Sequence, residues 1–293
     1  MRHVALTLLC AALGACMTPP RPPKLPPPQV AMPGKFAAAL AKGDAAWRAG
    51  HGDEALYAYL IAEKLDPQSD VALLRIGALH ESLGHDELAI RAWQMAAERN
   101  ERSGLTRQRL GYAWLQHADV SQAEAEFVRA LQLDARLWRA SMGLGLVAET
   151  RGDYAAARLH YDTALALRPN AGDLLTYSAR VALAQDDLDR TRADLGAALA
   201  TDPQPETWLV LGDLLARAGD YPGGLEAYHK TLSEAEAYQR LGEQATRAGD
   251  HVRAVWYFER AAAASPTYFE RAHKSLAVAR ERSREQQNEA AAR

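Results

Sequence analysis

The chain has 293 residues, with 34 Lys and Arg against 37 Asp and Glu, a formal charge of -3. That balance excludes the large positive excess of a basic nucleic-acid binder, and 48% hydrophobic with 24% charged residues is ordinary globular composition rather than that of a disordered chain. Ala supplies 60 residues, Val 11 and Ile three, a mixture that favours helix over sheet. The two Cys stand at positions 10 and 16, so the 277 residues after Cys16 carry no thiol, and thiol catalysis and thiolate metal sites are excluded there.

The first segment reads as an address. Met1-Arg2-His3 is a short cationic start, and Val4 to Ala12 is an apolar run of nine residues. Nine residues are too few to span a bilayer and suit the core of a signal peptide, predicted over residues 1–15. The run closes on Leu13-Gly14-Ala15-Cys16. These four residues resemble the lipobox of bacterial lipoproteins, a resemblance that implies cleavage before Cys16 and lipidation of Cys16. Met17 follows in place of Asp, which by the sorting preference of such lipoproteins implies the outer membrane, periplasmic face. Residues 16–35 then hold eight of the fourteen Pro, all between 19 and 33. Pro fixes φ and removes N–H donors, so this stretch is predicted to be an extended spacer of roughly 3 Å per residue.

From residue 36 onward the sequence repeats. Gly43, Gly77, Gly111 and Gly145 stand 34 apart, as do Ala55, Ala89, Ala123 and Ala157. The aromatics Tyr59, Trp93, Phe127 and Tyr161 keep the same interval, followed by Ala62, Ala96, Ala130 and Ala164. A further small residue, Gly50, Gly84, Ala118 or Gly152, marks a turn inside each unit. Spacings of four and three place Ala, aromatic and Ala on one stripe of a second helix. A mid-helix Gly costs about 1 kcal/mol against Ala, so its recurrence implies close helix approach. Asp66-Pro67, Arg168-Pro169, Asp202-Pro203 and Ser265-Pro266 end second helices.

The period and slots resemble the tetratricopeptide repeat (TPR) family, W-x2-L-G-x2-Y followed by A-x3-F and P. The closest start is Trp208-x2-Leu211-Gly212-x2-Leu215. The fullest unit runs Tyr238-x2-Leu241-Gly242, Gly249-Asp250, Ala254-x3-Phe258, Ala261 and Pro266. Units fall at 36–69, 70–103, 104–137, 138–171, 172–204, 205–234 and 235–268. The fifth departs from the pattern with Ala179, Thr191 and Leu195, and the sixth is about four residues short with Gly224 and Thr231 in Ala slots, which predicts an irregular second helix or turn. Over 269–293, Phe269, Ala272, Leu276 and Ala279 make the stripe of a capping helix, with a frayed polar end. The resemblance implies an all-α, right-handed superhelix (an α-solenoid) of about seven helix pairs.

Chemistry-bearing motifs are sparse. His80 and His85 are five apart, outside the i, i+4 pattern of a helix-borne zinc pair, and no phosphate-cradling Gly loop or nucleophile motif is present. No metal, cofactor or catalytic centre is expected. The resemblance implies that first-helix side chains face a bound segment, which points to Leu74, Tyr112, Leu115, Arg139, Met142, Leu146 and Arg180 as a partner-binding groove. Those slots adjoin packing slots, and the pattern leaves both groove and core open for them. Lipobox, Pro-rich spacer and repeats together resemble the tight-adherence pilus assembly lipoproteins and the pilotins of type IV pili. What that implies is a protein partner among secretin or pilus subunits, a lipid-held membrane attachment and no nucleic acid. An adaptor for cell-wall hydrolases is the alternative.

Overall fold

The computed structural model describes residues 34–201, 203–265 and 270–291. The signal peptide, Cys16, most of the Pro-rich spacer, Asp202, Pro266 and Phe269 lie outside the described residues. Among the described residues there are fifteen α-helices and no strand. They form two compact units, divided after Pro169.

The first unit holds four helix pairs: α1 (Lys35–Arg48) with α2 (Gly52–Leu65), α3 (Val71–Ser82) with α4 (Asp86–Arg99), α5 (Gly104–Gln116) with α6 (Val120–Leu133), and α7 (Trp138–Thr150) with α8 (Tyr154–Leu167). The second unit holds α9 (Gly172–Ala184) with α10 (Leu188–Thr201), α11 (Pro205–Arg217) with α12 (Tyr221–Tyr228), and α13 (Glu234–Arg247) with α14 (His251–Ala264), closed by the long α15 (Glu270–Ala291). Within each unit every helix packs on the next, and α5 on α7, α9 on α11 and α11 on α13 also touch. Consecutive pairing of this kind is the packing of a tetratricopeptide-repeat solenoid.

The recurring slots explain the pairing. In every repeat but the fifth, the aromatic of the second helix lies against the Gly of its first helix. A Cβ on Gly77 would meet Trp93 ring carbons at 2.7 Å, and one on Gly111 would meet Phe127 at the same distance. Gly43 faces Tyr59, Gly145 faces Tyr161, Gly212 faces Tyr228 and Gly242 faces Phe258 in the same way. These rings are interior, Tyr59, Trp93, Phe127, Tyr161 and Tyr228 almost wholly so. A buried ring of this size contributes on the order of 2–3 kcal/mol of transfer free energy, more than the helix cost of the glycine that admits it.

The fifth repeat keeps the contact with different parts. Ala179 and Leu195 are both buried in one core cluster with Val210 and Leu214. A smaller side chain on α10 leaves room for the extra methyl on α9. Thr191, in an Ala slot, satisfies its hydroxyl on the carbonyl of Asp187 at 2.7 Å.

In the sixth repeat α12 has eight residues where the other second helices have fourteen. Gly224 replaces Ala there because a Cβ would come within 3.1 Å of the Gly212 carbonyl on α11. Ser233 and Glu236 form a reciprocal capping box that starts α13 early and fixes the shortened connection.

Several turns between paired helices use a left-handed residue followed by a capping carboxylate, whereas those at Gly50 and Gly84 are followed by His51 and His85, which make no side-chain cap. Gly152, Gly219 and Gly249 have positive φ, and Asp153, Asp220 and Asp250 then accept the N–H three residues on. Ala118 takes the same conformation without being Gly, with φ of 62°. The last helix covers the end of the second unit with Ala272, Leu276, Ala279 and Ser283 buried. Arg271 to Glu243 and Arg280 to Glu259 tie it to α13 and α14.

Candidate partner-binding surface

First helices carry the candidate surface, and their positions relative to the recurring Gly decide what each side chain can do. Three residues before the Gly stand Leu40, Gln108, Met142, Thr176, Leu209 and Gln239, and all six are buried. Leu74 occupies that slot in the second repeat and is half-buried, packed between the clusters around Tyr59 and around Trp93. This slot is therefore a packing position. Met142 is 0% exposed and Leu146 is 4% exposed, so both expected groove residues belong to the interior. Their burial corrects the open alternative in favour of core for these two. Gly143 beside them explains it, because α7 lies directly on the Phe127 ring there.

The structure does bring three of the expected residues together. Tyr112 and Leu115 are half-buried on α5 and pack on the cluster of Ala123, Phe127 and Ala130. The Tyr112 ring meets Phe127 edge-on at 5.0 Å, and its hydroxyl donates to the Arg139 carbonyl at 2.6 Å. The Arg139 guanidinium lies 4.4 Å over the Trp138 ring, and Arg168 lies 5.5 Å over the same ring. This corner therefore offers an aromatic side chain whose position is fixed at both ends, an aliphatic neighbour and two cations held on one indole. Few rotamers remain to be frozen when such a surface is covered.

Arg180 stands in the second unit. Its guanidinium donates to Glu206 at 2.8 Å and lies 4.9 Å over Tyr177. Polar side chains also join first helices of this unit: Arg240 pairs with Asp213 at 2.7 Å, and Gln244 also donates to Asp213.

A set of polar residues that periodicity did not single out ties successive repeats together. Tyr59 donates to Asp44 at 2.8 Å, and Arg75 of the next repeat donates to the same carboxylate at 2.8 Å. Tyr228, Asp213 and Arg240 repeat this arrangement in the second unit. Burial first, and then the neighbouring carboxylate, push both tyrosine hydroxyls well above the usual range, so both remain neutral donors. Arg109 fills the slot of Arg75 one repeat later and lies 5.7 Å over Trp93. Burial lowers its pKa and raises that of Glu81, each partly offset by the other. The fourth repeat has Gly143 in this slot, where the ring behind it is Phe127 and carries no hydroxyl. The signal was present in the sequence as Arg two residues before Gly in the second, third and seventh repeats.

Among the described residues no three His, Cys, Asp or Glu side chains gather as a metal site, and no helix is long and apolar enough to cross a membrane.

A sequence model of the tetratricopeptide repeat matches residues 109–172 and 178–234. No curated protein matches the sequence. Among solved structures, the chain is similar to the APC/C hetero-tetramer Cut9–Hcn1 with TM-score 0.63 at 18% identity, covering 84% of this chain and 52% of that one. This chain thus spans about half the length of that neighbour. Pseudomonas aeruginosa pilF gives TM-score 0.58 at 17% identity, covering 73% of this chain and 91% of the other. A tetratricopeptide repeat protein from Parabacteroides merdae gives 0.54 at 17%, covering 94% and 91%. Identities this low speak to fold alone. Paired helices and glycine-on-aromatic contacts give the described residues the fold of a tetratricopeptide-repeat solenoid, and the repeat model matches two stretches within it.

Proposed function

We propose that the chain is a non-catalytic scaffold that docks protein partners on the first-helix face of its repeats. In this reading a lipid on Cys16 holds it at the periplasmic face of a bacterial outer membrane, where it assists assembly of a tight-adherence or type IV-like pilus or its secretin channel. The anchor and the location are supported by Leu13-Gly14-Ala15-Cys16 and the Pro-rich stretch after it. Two or more acyl chains give stable attachment at about 0.8 kcal/mol per buried CH2.

The observation that carries the docking role is the corner of Tyr112, Leu115 and Arg139, preorganised by the 2.6 Å bond to the Arg139 carbonyl. Aromatic and Arg anchors of this kind are enriched where truncation costs an interface 2 kcal/mol or more.

The test is capture of the partner from detergent-solubilised native membranes by Tyr112→Ala with Arg139→Ala. Capture is expected to fall by at least about tenfold, the equivalent of roughly 1.4 kcal/mol, with helical circular dichroism retained. Undiminished capture rejects the surface. In parallel, Cys16→Ser is expected to leave the protein extractable without detergent, and persistent membrane attachment contradicts the lipid anchor.

A further inference from the structure

His80 lies in the last turn of α3, and His85 is the residue before α4. The turn between them is fixed by backbone bonds. The His85 and Leu83 N–H groups both donate to the His80 carbonyl, at 2.9 and 3.1 Å, and Gly84 takes the left-handed conformation. His80 is buried and His85 is exposed. Their Nδ1 atoms stand 3.4 Å apart, with ring centroids 5.6 Å apart and planes tilted by 45°.

Two imidazole nitrogens at about 2.0–2.1 Å from a tetrahedral ion stand roughly 3.3–3.4 Å from each other, which is the separation found. Burial, and then the neighbouring His85, lower the pKa of His80. Asp86 and Glu87 in the first turn of α4 add negative charge beside the pair. Both histidines are set on a turn and helix ends whose backbone is already ordered, so little conformational freedom is lost on chelation.

We propose that His80 and His85 chelate one divalent transition-metal ion of the zinc, nickel and copper class through their two Nδ1 atoms. The remaining positions of the ion face solvent on the His85 side, open to water or to a ligand brought by another molecule. Because no third protein ligand converges among the described residues, the chain itself supplies two. The sequence spacing of five residues conceals the pair, since it departs from the helical i, i+4 pattern and depends on the turn to fold one ring back on the other.

The experiment titrates the full-length, untagged, metal-free chain with Ni2+ by calorimetry, alongside His85→Ala. The His85 side chain makes no capping bond to α4, so the variant is expected to keep its fold. The expected result is saturation at one ion per chain in the wild type and its loss in His85→Ala. Cu2+-loaded protein is expected to show two nitrogen ligands by electron paramagnetic resonance in the wild type and fewer in the variant. No saturable binding, or equal binding by His85→Ala, overturns the site and leaves the 3.4 Å contact as a shared proton between two rings.

Discussion

At the scale of single residues, the recurring glycine is the sharpest case. Gly111 and Gly196 both stand in helix interiors, α5 and α10, and helix propensity alone treats them alike. Their surroundings differ. A Cβ at Gly111 meets Phe127 at 2.7 Å, while one at Gly196 meets nothing within 4 Å. Gly111→Ala is therefore expected to destabilise by about 1–3 kcal/mol through overpacking. Gly196→Ala is expected to stabilise by about 0.5–1 kcal/mol. Urea denaturation of both variants checks the pair, and equal effects of one sign would show that propensity, not ring contact, sets these positions. The period in the sequence was enough to read the first glycine. The burial of Met142 was not legible, because a groove slot and a packing slot lie on neighbouring edges of one helix face. Only the approach of α7 to the Phe127 ring decides between them.

At the scale of elements, each repeat is a contact between a first-helix slot and a second-helix side chain, and the fifth repeat shows that the two covary. Leu195 stands where other repeats have a ring, and Ala179 stands where most have Gly. Leu195→Phe alone is expected to cost about 1–3 kcal/mol. Adding Ala179→Gly is expected to restore part of that loss, with a coupling on the order of 1 kcal/mol in a double-mutant cycle. Strict additivity would mean that the two positions do not share volume. The helix pairs were legible from the period of 34 residues and from the Pro and Gly that end the helices. The bridges from Asp44 to Arg75 and from Asp213 to Arg240 were harder to read, since an Asp after a Gly looks like solvent-facing surface and its partner is 31 or 27 residues away. The short α12 has the same character. Missing residues and Gly-Gly announce an irregularity, but its shape depends on how closely the backbone of α11 approaches.

At the scale of the whole molecule, repeats of this kind bury their apolar faces only against neighbours, so an uncovered end is a liability. The α15 helix covers α14 with Ala272, Leu276 and Ala279, and Gln239 of α13 donates to Ser275. Truncation after Ser265 is expected to lower the melting temperature and to cause self-association visible by light scattering. A monomer of unchanged stability would show that α15 does not cap. The proposed docking role rests on the first-helix corner at Tyr112, which is half-buried among the described residues.

Site-specific photocrosslinking in native membranes tests that role most directly. A photoreactive side chain at position 112 is compared with one at Leu159, which is 66% exposed on the second helix α8. The prediction is a discrete protein adduct from position 112 and none from 159. Adducts from 159 alone, or from neither position, would contradict a partner docked on the first-helix face.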